Sequence, residues 1–145
     1  MYPYDYQISL RIVHPAMDPQ VFTETLGLQP RIVQKFGDRR STPTGTLLEG
    51  HYQRSYWSSS FIPPDDSDLP SFLAKTVENL RPHRAFFCHI RDTGGSVEFF
   101  VGLFTDGVNI GATLPYALLS DLGDMGIDLS LDIYDYKENS DNSST

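Results

Sequence analysis

The chain has 145 residues, 39% of them hydrophobic and 21% charged, with a formal net charge of −8. That size suits one domain, which buries roughly 68–70% of the surface its unfolded chain exposes; the one cysteine, Cys88, excludes an internal disulfide. No apolar run approaches the roughly 20 residues that cross a bilayer, and the start, MYPYDYQ, lacks the basic and apolar regions of a secretory signal, so a cytoplasmic protein is expected.

Tyr6–His14 alternates, with Tyr6, Ile8, Leu10 and Ile12 on one face and Gln7, Ser9 and Arg11 on the other, which predicts a half-buried strand. Asp18-Pro19 is an N-cap followed by proline at the first helical position, and Gly27 is the natural terminator, so a helix spans Pro19–Leu26. Met17 and Phe22 occupy the two positions of a hydrophobic staple. Leu28–Gly45, broken by Pro30, Gly37, Pro43 and Gly45, reads as irregular. Thr46–Phe61 is rich in β-compatible residues and predicts a strand bent near Gly50.

After a turn at Ile62–Ser67, Leu69, Phe72, Leu73, Val77 and Leu80 recur at helical spacing. A second helix is expected over Leu69–Arg81, capped by Asp68 and ended by Pro82. Arg84–Arg91 and Val97–Phe104 read as two strands joined by a hairpin turn over Asp92–Ser96. The second is apolar on both faces, which predicts a central place. A third helix follows over Leu114–Leu122, with Thr113 as its cap, Pro115 in its first turn and Gly123 or Gly126 at its end. Ile127, Leu129, Leu131 and Ile133 alternate with Asp128, Ser130 and Asp132 in a last strand.

The expected order is β-α-β-α-β-β-α-β. The simplest way to bury every apolar stripe is an α+β fold, a mostly antiparallel sheet with about three helices packed on one face. It forms a single domain over residues 1–136, followed by a polar, disordered tail over 137–145.

Charge is unevenly spread. Residues 31–54 hold Arg31, Lys35, Arg39, Arg40 and Arg54 against Asp38 and Glu49, a local excess of +3. Residues 92–145 hold ten acids against Lys137, a balance of −9. The acidic half repels phosphate at long range and disfavours a nucleic-acid binder, while it can steer a basic protein partner. Plain solubility is the competing account of those acids.

No catalytic pattern emerges. None of His14, His51, His83 and His89 forms a helical metal-binding pair, and no cysteine pair exists. Cys88 reads as a buried structural thiol, turned away from its neighbour His89 as adjacent strand residues are. His14, at a strand end just before a helix, reads as a loop or capping histidine rather than a catalytic one. Asp128 and Asp132, four apart on a strand, stand roughly 13 Å from one another, too far to share a metal. Asp121 and Asp124 read as solvated surface. No catalytic residue, metal or cofactor is assigned.

Two features remain as a ligand-binding candidate. Lys35, Arg39 and Arg40 stand in a basic loop, and guanidinium forks suit carboxylate or phosphate. Tyr52, Arg54 and Tyr56 alternate onto one face of the following strand, a surface for stacking and hydrogen bonding. Together they predict a seat for a small anionic ligand, provided the loop folds back beside the tyrosines. Loop clipping and cross-strand packing are the competing structural accounts. Trp57, on the other face, reads as a core anchor.

The order of several motifs points to a family. An opening strand runs into Asp18-Pro19, then Leu26-Gly27-Leu28-Gln29-Pro30, then Lys35-Phe36-Gly37-Asp38. An aromatic strand ending at Trp57 follows, and the chain closes with Gly126-Ile127-Asp128-Leu129-Ser130-Leu131-Asp132-Ile133-Tyr134. Over about Gln7–Tyr134 this resembles the bacterial family named domain of unknown function 4279. The resemblance implies a small bacterial cytoplasmic α+β domain and carries over no catalytic residue. The expected function is a non-catalytic binding or interaction module, of immunity or regulatory type. The alternative is an anionic small-molecule site, with or without enzymatic activity, near Arg39 and Arg40.

Overall fold

The computed structural model describes residues 5–106 and 111–135; the expected tail lies outside them. The first alternating segment forms β1 (Asp5–His14), with Ile8, Leu10 and Ile12 buried. Asp18 caps α1 (Pro19–Leu26) by accepting the Gln20 N–H at 3.0 Å, and Gly27 ends it with φ 67°.

The stretch that reads as irregular contains two short strands, β2 (Ile32–Gln34) and β3 (Arg39–Ser41). The single strand expected over Thr46–Phe61 is divided into β4 (Leu47–His51) and β5 (Ser55–Phe61). Composition could not reveal this break. Gly50, at φ 87°, and the interruption at Tyr52–Arg54 let β4 pair back onto β3 while β5 joins the main sheet.

Asp68 caps α2 (Leu69–Leu80) through the Ser71 N–H, as its sequence implies. Pro82 does not end the helical path. It stands at the start of a 3₁₀ turn (Arg81–His83), where a missing N–H costs little, and that turn leads straight into α3 (Arg84–Asp92). The strand and hairpin expected over Arg84–Ser96 are therefore corrected to a helix and its exit. Aromatic content suggested a strand, but the buried Phe87 and Ile90 are three apart, on one helical face. Gly94 (φ 99°) and Gly95 close α3 through Gly94 N–H to Arg91 O and Gly95 N–H to Ile90 O, at 3.0 and 2.8 Å. A Cβ on Gly95 would stand 2.6 Å from the Val13 carbonyl oxygen, so the chain needs glycine there to turn into the sheet.

The central strand β6 (Ser96–Thr105) follows, then α4 (Tyr116–Met125), which runs through Gly123 and stops at Gly126, and the edge strand β7 (Asp128–Asp135). The main sheet has the order β2-β5-β1-β6-β7, antiparallel except for the β6–β7 pair. The α+β class and mostly antiparallel sheet are as the sequence leads one to expect, with four α-helices among the described residues.

One face of the sheet carries the core. Ile8, Leu10 and Ile12 of β1 meet Val101, Phe99 and Val97 of β6 in register. Phe22, Leu73, Phe87 and Leu122 of the helices join them in one buried cluster. Trp57 is fully buried as the expected anchor; its indole N–H donates to Thr23 Oγ1 at 3.0 Å and its ring meets Phe22 edge-on.

Two polar readings change in this context, while that of His14 as a cap does not. Cys88 is half-buried on α3, and Arg91 donates to its sulfur at 3.2 Å, so it is not a strand core thiol. Asp121 and Asp124 are ion-paired: Arg81 reaches Asp121 at 3.1 Å and Arg84 reaches Asp124 at 2.9 Å, which ties the α3 end of the path to α4. His14 is a cap at the end of β1. Its Nδ1 accepts the Ala16 and Met17 N–H groups at 3.1 and 2.9 Å, and its Nε2 meets Thr93 Oγ1 at 2.7 Å.

That bonding has a pH consequence. Protonating Nδ1 removes the acceptor of two amides. Burial, and secondarily the nearby His89, holds the His14 pKa below its ordinary 6.5. The neutral ring's contribution is therefore complete above pH 6.5 and is lost as pH falls through the depressed folded value. Melting temperature followed from pH 7.5 downward is expected to fall below that point, and His14→Asn is expected to flatten the fall.

Candidate functional site

The basic loop does fold back beside Tyr52. Gly37 N–H donates to Tyr52 O at 3.0 Å, Tyr52 N–H donates to Asp38 O at 2.9 Å, and β3 pairs with β4. The Tyr52 hydroxyl bonds both the N–H and the carbonyl of Ser41 at 3.2 Å. The cations, however, are largely engaged by the protein itself. Arg39 Nε donates to Leu48 O at 3.1 Å, Arg40 donates to Glu49 O at 3.3 Å, and Lys35 pairs with Asp18 at 3.3 Å. Arg54 is exposed, and because the strand breaks at Tyr52–Arg54, Tyr52, Arg54 and Tyr56 do not form one continuous strand face. Tyr56 lies on β5 opposite Val13 and Gln34, on the sheet face away from the helices.

That second face holds a groove. In register across the sheet stand Ser58 and Ser60 of β5, Gln7, Ser9 and Arg11 of β1, Glu98, Phe100, Gly102 and Phe104 of β6, and Ser130, Asp132 and Tyr134 of β7. Their side chains point opposite to the core row because successive strand residues alternate. The groove has a volume of about 670 Å³, within the range of ligand sites, and Ile62 and Pro63 line it beside Phe61.

Arg11 is its central cation. The guanidinium carbon lies 3.6 Å from the Phe100 ring centroid, a cation–π stack. Glu98 stands 4.0 Å from Nη1, a long ion pair. Nε is sealed from solvent without a hydrogen-bond partner. The side chain as a whole remains 34% exposed, so its charge faces the groove. Arg31 lines the same groove, held there by its backbone N–H donating to Ser58 O at 2.7 Å. Phe104 and Tyr134 stack at 5.1 Å, nearly parallel, as a flat aromatic wall. The Tyr134 hydroxyl donates to Asp132, and this bond holds the phenol above its ordinary pKa.

The arrangement offers a positive end, flat rings and hydroxyl and amide groups, which are groups that hold a ligand. Among the described residues, no group of three or more His, Cys, Asp or Glu side chains is placed to hold a metal ion. Sequence reasoning missed Arg11, Phe100, Phe104 and Tyr134. The available signal was the double apolar face of β6: the inner row is core, and the outer row is this wall.

A family model covers residues 4–136, nearly the whole chain, and carries the description Domain of unknown function (DUF4279). The chain belongs to this family. No curated protein and no solved structure matches it.

Tyr52→Phe removes both hydroxyl bonds to Ser41 and is expected to weaken the β3–β4 hairpin by about 0.5–1.5 kcal/mol. Hydrogen exchange should accelerate for hairpin amides while those of β1 and β6 keep their protection.

Proposed function

We propose that this domain is a non-catalytic binding module whose ligand lies on the open sheet face. The ligand carries a carboxylate or phosphate directed at Arg11 and Arg31 and a flat apolar part against Phe104 and Tyr134. The observation that carries this reading is Arg11, stacked on Phe100 within a groove and met by its nearest carboxylate only at 4.0 Å. A cation so loosely balanced in a protein of net charge −8 is a local anion-attracting point. The hairpin cations Lys35, Arg39 and Arg40, with Tyr52, Arg54 and Tyr56, become an outer basic surface rather than the primary seat, because their nearest bonds are internal.

Calorimetric titration with 4-phenylbutyrate and with phenyl phosphate tests this directly. Arg11→Gln is expected to weaken binding at least about tenfold, while Arg39→Gln leaves it within about twofold. Equal effects of the two substitutions would move the site back to the hairpin.

A second reading, a basic protein partner, is favoured by the edge strand β7. It alternates Asp128 and Asp132 with Leu131 and Ile133, which are 51% and 63% exposed. An exposed edge accepts an added strand, and its acids suit lysine or arginine on that strand. Capture from lysate that survives Leu131→Lys, or that is insensitive to salt, would count against it.

A further inference from the structure

Beyond the Ile62 turn lies a second cleft of about 390 Å³, on the α2 side of the sheet end. Leu26, Leu28 and Phe72 supply apolar walls, and Lys75, Asn79 and His83 form a polar ridge along it. The ridge follows from spacing: residues four apart share a face from α2 into the 3₁₀ turn. Phe61 and Ile62 line both this cleft and the sheet-face groove, so the two adjoin at that pair. Ile62 is 91% exposed, an apolar side chain left at the seam.

Charge distribution gives the second, independent observation. Most described cations have partners: Arg11, Lys35, Arg81 and Arg84 are ion-paired, Arg39 and Arg40 bond carbonyls, and Arg91 bonds Cys88. Among the described residues, Arg31, Arg54 and Lys75 make neither an ion pair nor a side-chain hydrogen bond. Two of these three line the adjoining clefts, Arg31 the sheet-face groove and Lys75 the cleft beside α2.

We infer that the two clefts form one bipartite seat for an elongated small molecule bearing an anionic group at each end, one at Arg11 and Arg31 and the other at Lys75, with its apolar middle laid across Phe61 and Ile62. This rests on the sheet-face reading above and extends it to the ligand class. A dianion of the right length gains a second charge contact without a second loss of translational freedom, so its advantage depends on length.

The test is calorimetry with straight-chain dicarboxylates of increasing length, from hexanedioate upward, beside the monocarboxylates of equal length. The dicarboxylates are expected to show an affinity optimum at one length, at least about tenfold tighter than the matched monocarboxylate. Lys75→Gln, on an exposed side chain, should reduce the best dicarboxylate to the level of its monocarboxylate and leave the monocarboxylate unchanged. Ile62→Ser should weaken the optimal dicarboxylate more than hexanedioate. If monocarboxylates bind through Arg11 but dicarboxylates bind no tighter, or if Lys75→Gln has no effect, the bipartite seat is refuted while the sheet-face groove stands. If neither series binds while 4-phenylbutyrate does, the bipartite seat is refuted and the sheet-face groove stands; if 4-phenylbutyrate also fails to bind, both fall.

Discussion

The pairing of β1 with β5 on one side and β6 on the other is the constraint on which the rest depends. It fixes Leu10 opposite Ser59 and Phe99, and Arg11 opposite Ser58 and Glu98. A slip of one residue would exchange the core row for the Gln7–Ser9–Arg11 row, so the hydrophobic effect holds the register firmly. The same register that buries Leu10 and Phe99 sets Arg11 over Phe100. Core and groove are two consequences of one alternation.

Helices supply the asymmetry. The apolar stripes of α1 to α4 are consumed by the inner face, and none of their buried residues belongs to the outer row. An antiparallel sheet tolerates one uncovered face. Here that face is not a uniformly polar surface: it keeps Phe100, Phe104 and Tyr134 beside two arginines. Such a mixture gives stacking and charge in one place, which is the physical basis of the binding reading.

The β3–β4 hairpin spends part of its charge on its own backbone. Its five β4 residues are all exposed, so it gains little from burial. Its cohesion comes from directed bonds: the Tyr52 hydroxyl on Ser41, and Arg39 and Arg40 on the facing carbonyls. A guanidinium so engaged is anchored to the hairpin by one of its five donors, which restricts where the others can reach. Arg31, a few residues earlier, carries the same charge without that prior engagement.

Local chemistry was legible in the residues themselves. The β1 alternation, the Asp18 and Asp68 caps, the Gly27 and Gly126 stops and Trp57 as an anchor depend on neighbours a few positions away, and sequence contains those neighbours. The family is legible for the same reason, since it is written in the order of short motifs. The sequence misled where a local preference was overruled from a distance: Arg84–Arg91 is helical because Phe87 and Ile90 pack inward together, and Thr46–Phe61 divides because β4 finds β3. Of the groove, sequence held only the second apolar face of β6. Arg11, Arg31, Phe100 and Tyr134 come from four separated segments, and only strand pairing, a matter of long-range burial and hydrogen bonding, brings them onto one face.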